Sequence, residues 1–139
     1  MKTFHDFYSG RLWSVMSWEQ LDAFWKRIDP AAGWYVYAVG EPPPVKPASA
    51  EALAAFLVEV DALLHREHHH DYCGIVYADD LEHPSFVKIF DPNNLGVSCG
   101  FSTNPPLPGW ILSRVPPEEL RPTAPLPEGR RRWWRALFG

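Results

Sequence analysis

Histidine and cysteine side chains are concentrated in one short stretch, residues 65–73, which reads HREHHHDYC. Imidazole and thiolate groups are ligands that zinc and other borderline metal ions prefer. His65 and His68 stand three residues apart near the end of a predicted helix, and His70 and Cys73 follow directly. This inventory and spacing indicate a candidate zinc or nickel site. Its predicted ligands are His65, His68, His70 and Cys73.

The same histidines also have an explanation that needs no metal. A structural zinc site usually draws paired ligands from two separate clusters, and the distant candidates here are Cys99, His83 and His5. Histidines at the C-terminal end of a helix complement its dipole without any ion. Two alternatives therefore stay open, a protein without a cofactor and one that binds zinc or nickel.

A catalytic thiol is the next candidate chemistry. Cys99 lies in the glycine-flanked segment 96–100, GVSCG, and could act as a nucleophile if a histidine lay beside it in the fold. Its neighbours match no protease signature, and an intracellular cysteine is more often buried and inert. A Cys/His-dependent enzyme that uses the histidine cluster and Cys99 remains the alternative to a non-enzymatic protein.

The C-terminal residues 130–139, RRRWWRALFG, carry the strongest interaction signal. In a helix, the aromatic residues and Leu137 point to one side, and Arg131 and Arg135 point to another. Aromatic side chains at this position need a surface to bury against, which is this domain, a groove on another protein or an anionic membrane. A membrane is the weakest alternative, because one basic amphipathic turn binds bilayers poorly. The predicted partner-binding residues are Arg131, Trp133, Trp134, Arg135, Leu137 and Phe138.

Composition limits the classes of function. The 139 residues are 46% hydrophobic and 22% charged, which is typical of one globular domain, and 15 prolines indicate long ordered connections. The net charge of -4 argues against general binding to nucleic acid, which needs clustered lysine and arginine. No oligomeric state follows from these values.

The compartment is predicted from the cysteines and from hydropathy. Two cysteines are too few for a disulfide framework, and residues 1–10, MKTFHDFYSG, lack the apolar segment of a secretory signal. No run approaches the roughly 18 apolar residues that span a bilayer. We therefore expect a cytoplasmic protein.

Two main helices are predicted. Ser17 and Gln20 have the spacing of a capping box, and the apolar stripe that follows ends before Asp29 and Pro30. Ser49 is the predicted cap of a second helix, which runs from Ala50 to about Glu67. Residues 4–16 are broken by Ser-Gly and favour an extended segment or turn over a helix.

The strands are predicted from β-branched and aromatic runs. Residues 34–39, WYVYAV, are apolar on both faces, which favours a central strand. Residues 73–78 and 85–91 form a predicted antiparallel hairpin around an acidic loop. A last strand is expected within residues 109–115, and residues 97–101 are a candidate short strand.

Together these elements predict an α+β domain over residues 1–120, with a small mixed or antiparallel sheet of about four strands packed with two main helices. Residues 121–139 are predicted to be a proline-rich linker and a basic-aromatic tail. The sequence favours a non-enzymatic accessory or regulatory module that binds a protein of a larger enzyme or assembly through its acidic loops or through this tail. The alternative is a metal-binding protein or the Cys/His enzyme described above.

Overall fold

A computed structural model of the protein describes residues 2–93, 107–120 and 128–138. Within these residues the fold is mixed α+β, and a five-stranded antiparallel sheet is combined with four helices. The fold class therefore agrees with the prediction, with one strand more than expected. In chain order the elements are α1 (Phe4–Tyr8), β1 (Trp13–Val15), α2 (Trp18–Trp25), β2 (Tyr35–Ala38), α3 (Ala50–Glu67), β3 (Val76–Ala78), β4 (Phe86–Ile89), β5 (Trp110–Ser113) and α4 (Glu128–Phe138).

The strands of the sheet lie in the order β1-β3-β4-β5-β2, and every neighbouring pair is antiparallel. The predicted hairpin is confirmed, with Val76 opposite Ile89 and Ala78 opposite Val87. The prediction of a central strand at residues 34–39 is wrong, because β2 is the last strand in this order. Its apolar character on both faces reflects layers above and below the sheet, and it carries no information about lateral position.

The second and third helices begin where their caps predict. The Ser17 side chain accepts from the Gln20 amide, and the Gln20 side chain accepts from the Ser17 amide, which is the reciprocal capping box. The Ser49 hydroxyl accepts from the amide of Ala52, and α3 has the predicted bounds. The apolar stripe of α3 is buried, with Leu53, Phe56, Leu57, Val60, Leu63 and Leu64 facing the core.

The prediction for residues 4–16 is wrong at its beginning, where the chain forms α1. Thr3 caps this helix by accepting from the Asp6 amide, and the Asp6 carboxylate accepts from the Thr3 amide in return. A Cβ at Gly10 would lie 2.8 Å from the Asp6 carbonyl oxygen. Glycine therefore allows the chain to pass close to the backbone of α1 where the helix ends. The extended character appears only in β1.

Apolar side chains pack on both faces of the sheet. The larger core lies between the sheet and helices α2 and α3, and Val87, Ile89 and Leu112 contribute to it from the strands. On the other face a smaller cluster surrounds Phe4, Tyr37, Val39, Phe86 and Ile111. The sheet is thus the middle layer of the domain, and it supports α3 as the platform for the C-terminal helix.

The candidate strand at residues 97–101 and the thiol of Cys99 lie outside the described residues. Within residues 2–93, 107–120 and 128–138, no helix has both the length and the apolar character needed to cross a membrane.

Candidate functional site

The C-terminal helix α4 packs on its own domain through aromatic side chains. Phe56 of α3 is fully buried, and its ring centroid lies 6.2 Å from that of Trp133, 6.3 Å from Trp134 and 6.1 Å from Phe138. Trp133 also approaches Trp110 of β5, with 5.3 Å between ring centroids. These centroid distances are those at which aromatic pairs attract one another. Leu137 completes the contact with the core.

Arg130 holds the first turn of α4 to the rest of the domain. Its guanidinium donates to both Glu67 carboxylate oxygens, at 3.1 and 2.7 Å, and to both Asp91 carboxylate oxygens, at 2.7 and 3.0 Å. Asn93 adds a bond from its amide nitrogen to Glu67 Oε1 at 2.6 Å. The hydrogen bonds from Arg130 lower the pKa of Glu67, and those to Asp91 and Glu67 raise the pKa of Arg130. This geometry is the double fork expected of strong arginine–carboxylate pairs.

These contacts divide the predicted partner-binding residues into two groups. Trp133, Trp134, Leu137 and Phe138 are partly buried against this domain, which is one of the three surfaces that the sequence left open. Binding of a partner through their apolar face would require the helix to leave this position. Arg131 and Arg135, the other two members of the predicted set, lie on a different side of α4.

The outer side of α4 is basic. Arg132 and Arg135 are exposed and Arg131 is partly exposed, and the spacing of the three residues places them on one face of the helix. Within the part of the chain that the structure describes, no carboxylate forms an ion pair with any of them. Arg130 and the aromatic contacts therefore orient a face of three arginines toward solvent.

The predicted metal ligands do not converge on one point. His68 is buried, and its Nε2 atom lies 2.8 Å from the carbonyl oxygen of Cys73. Burial lowers the pKa of His68, and the neighbouring His70 and His69 lower it further, whereas the Cys73 carbonyl raises it. The His70 ring lies tilted against that of His68, with 4.7 Å between centroids, so the cluster is a packed group of rings at the end of α3.

The thiol of Cys73 is in the core and not at a site. The residue is fully buried, and its amide donates to the carbonyl of Met16 at 2.7 Å. Burial raises the pKa of the Cys73 thiol, which is the opposite of what an activated nucleophile or metal ligand needs. Cys73 is a free cysteine in the interior.

His65 belongs to a different group. Ligand atoms of Asp22 on α2 and of Asp61 and His65 on α3 all lie within 4.8 Å of one another. His65 Nε2 is 3.5 Å from Asp61 Oδ1. Neither carboxylate is among the residues predicted from the sequence, although the spacing of four residues between Asp61 and His65 on one helix face is a usable signal. Asp22 could not be assigned because it comes from another helix.

The acidic loop between β3 and β4 has a structural role. Asp79 Oδ1 accepts from the amides of Ser85 and Phe86, and Asp80 Oδ1 accepts from the amides of Glu82 and His83. Hydrogen bonds from the His83 and Glu82 amides lower the pKa of Asp80. Both carboxylates thus shape the hairpin connection.

Comparisons with known protein families, with curated proteins and with solved structures give no match to this chain.

Proposed function

We propose that this protein is a non-enzymatic accessory module that binds an acidic segment of another protein through the basic face of α4. We define this face by Arg131, Arg132 and Arg135. The observation that carries the proposal is that three arginines without ion pairs among the described residues project from a helix that is itself fixed by Arg130. The module is proposed to act in the cytoplasm, in keeping with the free thiol of Cys73.

Charge distribution supports an acidic partner. The whole chain has a net charge of -4, while α4 contains four arginines and one glutamate, so the helix carries +3 and the remainder -7. A basic surface on an otherwise acidic protein directs acidic ligands to one place and disfavours basic ones. Arginine also suits this task, since its planar guanidinium binds a carboxylate through two parallel hydrogen bonds.

Preorganisation also supports the basic face over the apolar one. A partner that used Trp133, Trp134 and Phe138 would first have to separate them from Phe56 and break the bonds of Arg130. A partner of the basic face finds the helix already formed and oriented, so it loses less conformational entropy on binding. The apolar residues of the predicted binding set then contribute by holding the helix in place.

The enzyme alternative has less support among the described residues. Cys73 is buried with a raised pKa, and His68 is occupied by the carbonyl of Cys73. A nucleophile needs a lowered pKa and access to substrate. A metal-binding role has a specific observation of its own, which is the group formed by Asp22, Asp61 and His65.

The test is a binding titration with a fluorescent peptide rich in aspartate and glutamate, followed by anisotropy. The triple variant Arg131→Glu, Arg132→Glu, Arg135→Glu is compared with a control that reverses three exposed lysines, Lys2→Glu, Lys26→Glu and Lys46→Glu. Both variants change the net charge equally. We expect the wild type and the control to bind and the arginine variant to lose binding, with weaker affinity at higher ionic strength.

Two outcomes would overturn the proposal. Equal loss in both variants would mean that overall charge attracts the peptide and that α4 has no special part. Binding to phosphatidylserine vesicles that requires the arginines, without any binding to the peptide, would identify a membrane surface as the ligand.

A further inference from the structure

We propose a second site, independent of α4, at which Asp22, Asp61 and His65 bind a divalent transition-metal ion such as zinc. The three ligand atoms lie within 4.8 Å of one another. They come from α2 and α3, which contact each other through Trp25 with Asp61 and through Trp18 with His65. Two carboxylates and one imidazole form a mixed oxygen and nitrogen set. Imidazole in such a set favours zinc or nickel over calcium and magnesium, which prefer oxygen ligands alone.

The distances suit an ion with only a small adjustment. Zinc binds imidazole nitrogen and carboxylate oxygen at about 2.0 to 2.2 Å, so two ligands of one tetrahedral ion lie roughly 3.5 Å apart. His65 Nε2 and Asp61 Oδ1 are already 3.5 Å apart. Asp22 is exposed at its position on α2, so its carboxylate is free to rotate toward the pair.

The two ligands on α3 are oriented by residues outside the group. The indole nitrogen of Trp25 donates to Asp61 Oδ1 at 3.0 Å, and the ring of Trp18 lies against that of His65 with 4.3 Å between centroids. A carboxylate can accept an indole N–H and still bind a metal, because its two oxygens offer about four lone-pair positions. Such outer contacts are typical of protein metal ligands, since they fix the orientation of the group that binds the ion.

The site differs from the one that the sequence indicates. Only His65 belongs to both, while His68 is buried against the Cys73 carbonyl and Cys73 is inside the core. Three protein ligands at an accessible position leave room for water as a further ligand, as in open zinc sites. We therefore expect an exchangeable ion and not a closed structural one.

The test is calorimetric titration of Zn²⁺ into the full chain, purified without an affinity tag and treated with chelator. The variant Asp22→Asn, His65→Gln is compared with Glu19→Gln, His69→Gln, which removes one exposed carboxylate and one exposed imidazole nearby. We expect one ion per chain in the wild type and in the control, and at least a tenfold loss of affinity in the Asp22 and His65 variant.

Trp25→Phe separates positioning from ligation. Loss of the indole N–H should weaken Zn²⁺ binding about tenfold while one ion per chain is still bound. The visible absorption of Co²⁺ added to the same proteins provides a second readout of a bound ion with fewer than six ligands. Absence of stoichiometric binding in the wild type would overturn the proposal, as would equal losses in the control, which would assign the ion to the His68–His70 cluster.

Discussion

At the residue scale, Phe56 connects the core to the C-terminal helix. It is buried completely between α3 and the sheet, and three aromatic rings of α4 lie against it. Phe56→Ala should lower the free energy of unfolding by about 3 to 5 kcal/mol, since it removes a buried ring and leaves a cavity beneath α4. Urea denaturation followed by circular dichroism measures this loss.

Val58 supplies the matched control for Phe56. It lies two residues further along α3, and 68% of it is exposed. Val58→Ala should change the free energy of unfolding by less than about 0.5 kcal/mol. Similar effects of the two substitutions would show that the assigned inner and outer faces of α3 are wrong.

The burial of His68 predicts that the free energy of unfolding falls as the pH drops below neutral. Burial lowers the pKa of this imidazole below its ordinary value of 6.5 in the folded protein. The unfolded chain therefore binds a proton more readily than the folded one in the window between the two values. The stability that neutral His68 contributes is fully present above about pH 6.5. It is lost as the pH drops from there toward the lowered pKa of the folded state.

The measurement compares unfolding free energies of the wild type and His68→Gln between pH 7.5 and the acid side of the imidazole range. Glutamine keeps a donor for the Cys73 carbonyl but does not titrate. We expect the variant to lose the part of the pH dependence above about pH 5, where the carboxylates have not yet begun to protonate. An unchanged pH profile would contradict the assignment to His68.

At the scale of elements, α4 is secured at its first turn by Arg130. Arg130→Gln should destabilise the protein by about 2 kcal/mol, between the small value of an exposed ion pair and the several kcal/mol of a fully buried one. The arginine side chain is 15% exposed. Its removal leaves Asp91 without an ion-pair partner among the described residues, while Glu67 keeps Arg66 at 3.4 Å and the side-chain amide of Asn93. Arg132→Gln, on the exposed face, is the control and should have almost no effect.

Hydrogen exchange locates the same effect in the chain. Arg130→Gln should increase exchange of the amides in residues 128–138 while those of α3 remain protected, because α4 opens without unfolding of the core. Equal acceleration throughout the domain would show instead that α4 and α3 unfold as one unit.

The helices were predictable where caps and periodicity agree. Ser49 and six regularly spaced apolar residues determine α3 locally, so its bounds follow from the sequence. The capping box of Thr3 and Asp6 gave the same kind of signal for α1, but the following Ser-Gly was interpreted as a turn that excluded a helix. The lateral order of strands is not local, which explains why β2 was expected at the centre.

The candidate sites depend on contacts between distant residues. Arg130 is 63 residues from Glu67 and 39 from Asp91, so the sequence could not show that one arginine of the tail is used to fix it. The aromatic residues of the tail and the clustered histidines were recognisable as unusual in the sequence. The residues that they contact in the fold were not predictable from it. His65 was predicted as a metal ligand and Asp61 is its neighbour on the same helix, whereas Asp22 reaches them only through the contact of α2 with α3.

At the scale of the whole molecule, α3 and α4 both pack on the larger core at one face of the sheet. Phe56 of α3 and Trp110 of β5 contact α4 on its apolar side, and its outer face is basic. The proposed acidic partner would meet the molecule on this outer face. The proposed metal site lies between α2 and α3 and uses none of the α4 residues, so each proposal can be tested without the other.

A titration of ¹⁵N-labelled protein with the acidic peptide, followed by NMR, tests the central claim most directly, because backbone and indole N–H signals report the two faces of α4 separately. The proposal predicts that the amides of Arg131, Arg132 and Arg135 shift with added peptide, while the indole signals of Trp133 and Trp134 keep their positions beside Phe56. Movement of both indole signals to positions typical of exposed tryptophan would contradict it, since the apolar face would then be the surface that the partner binds.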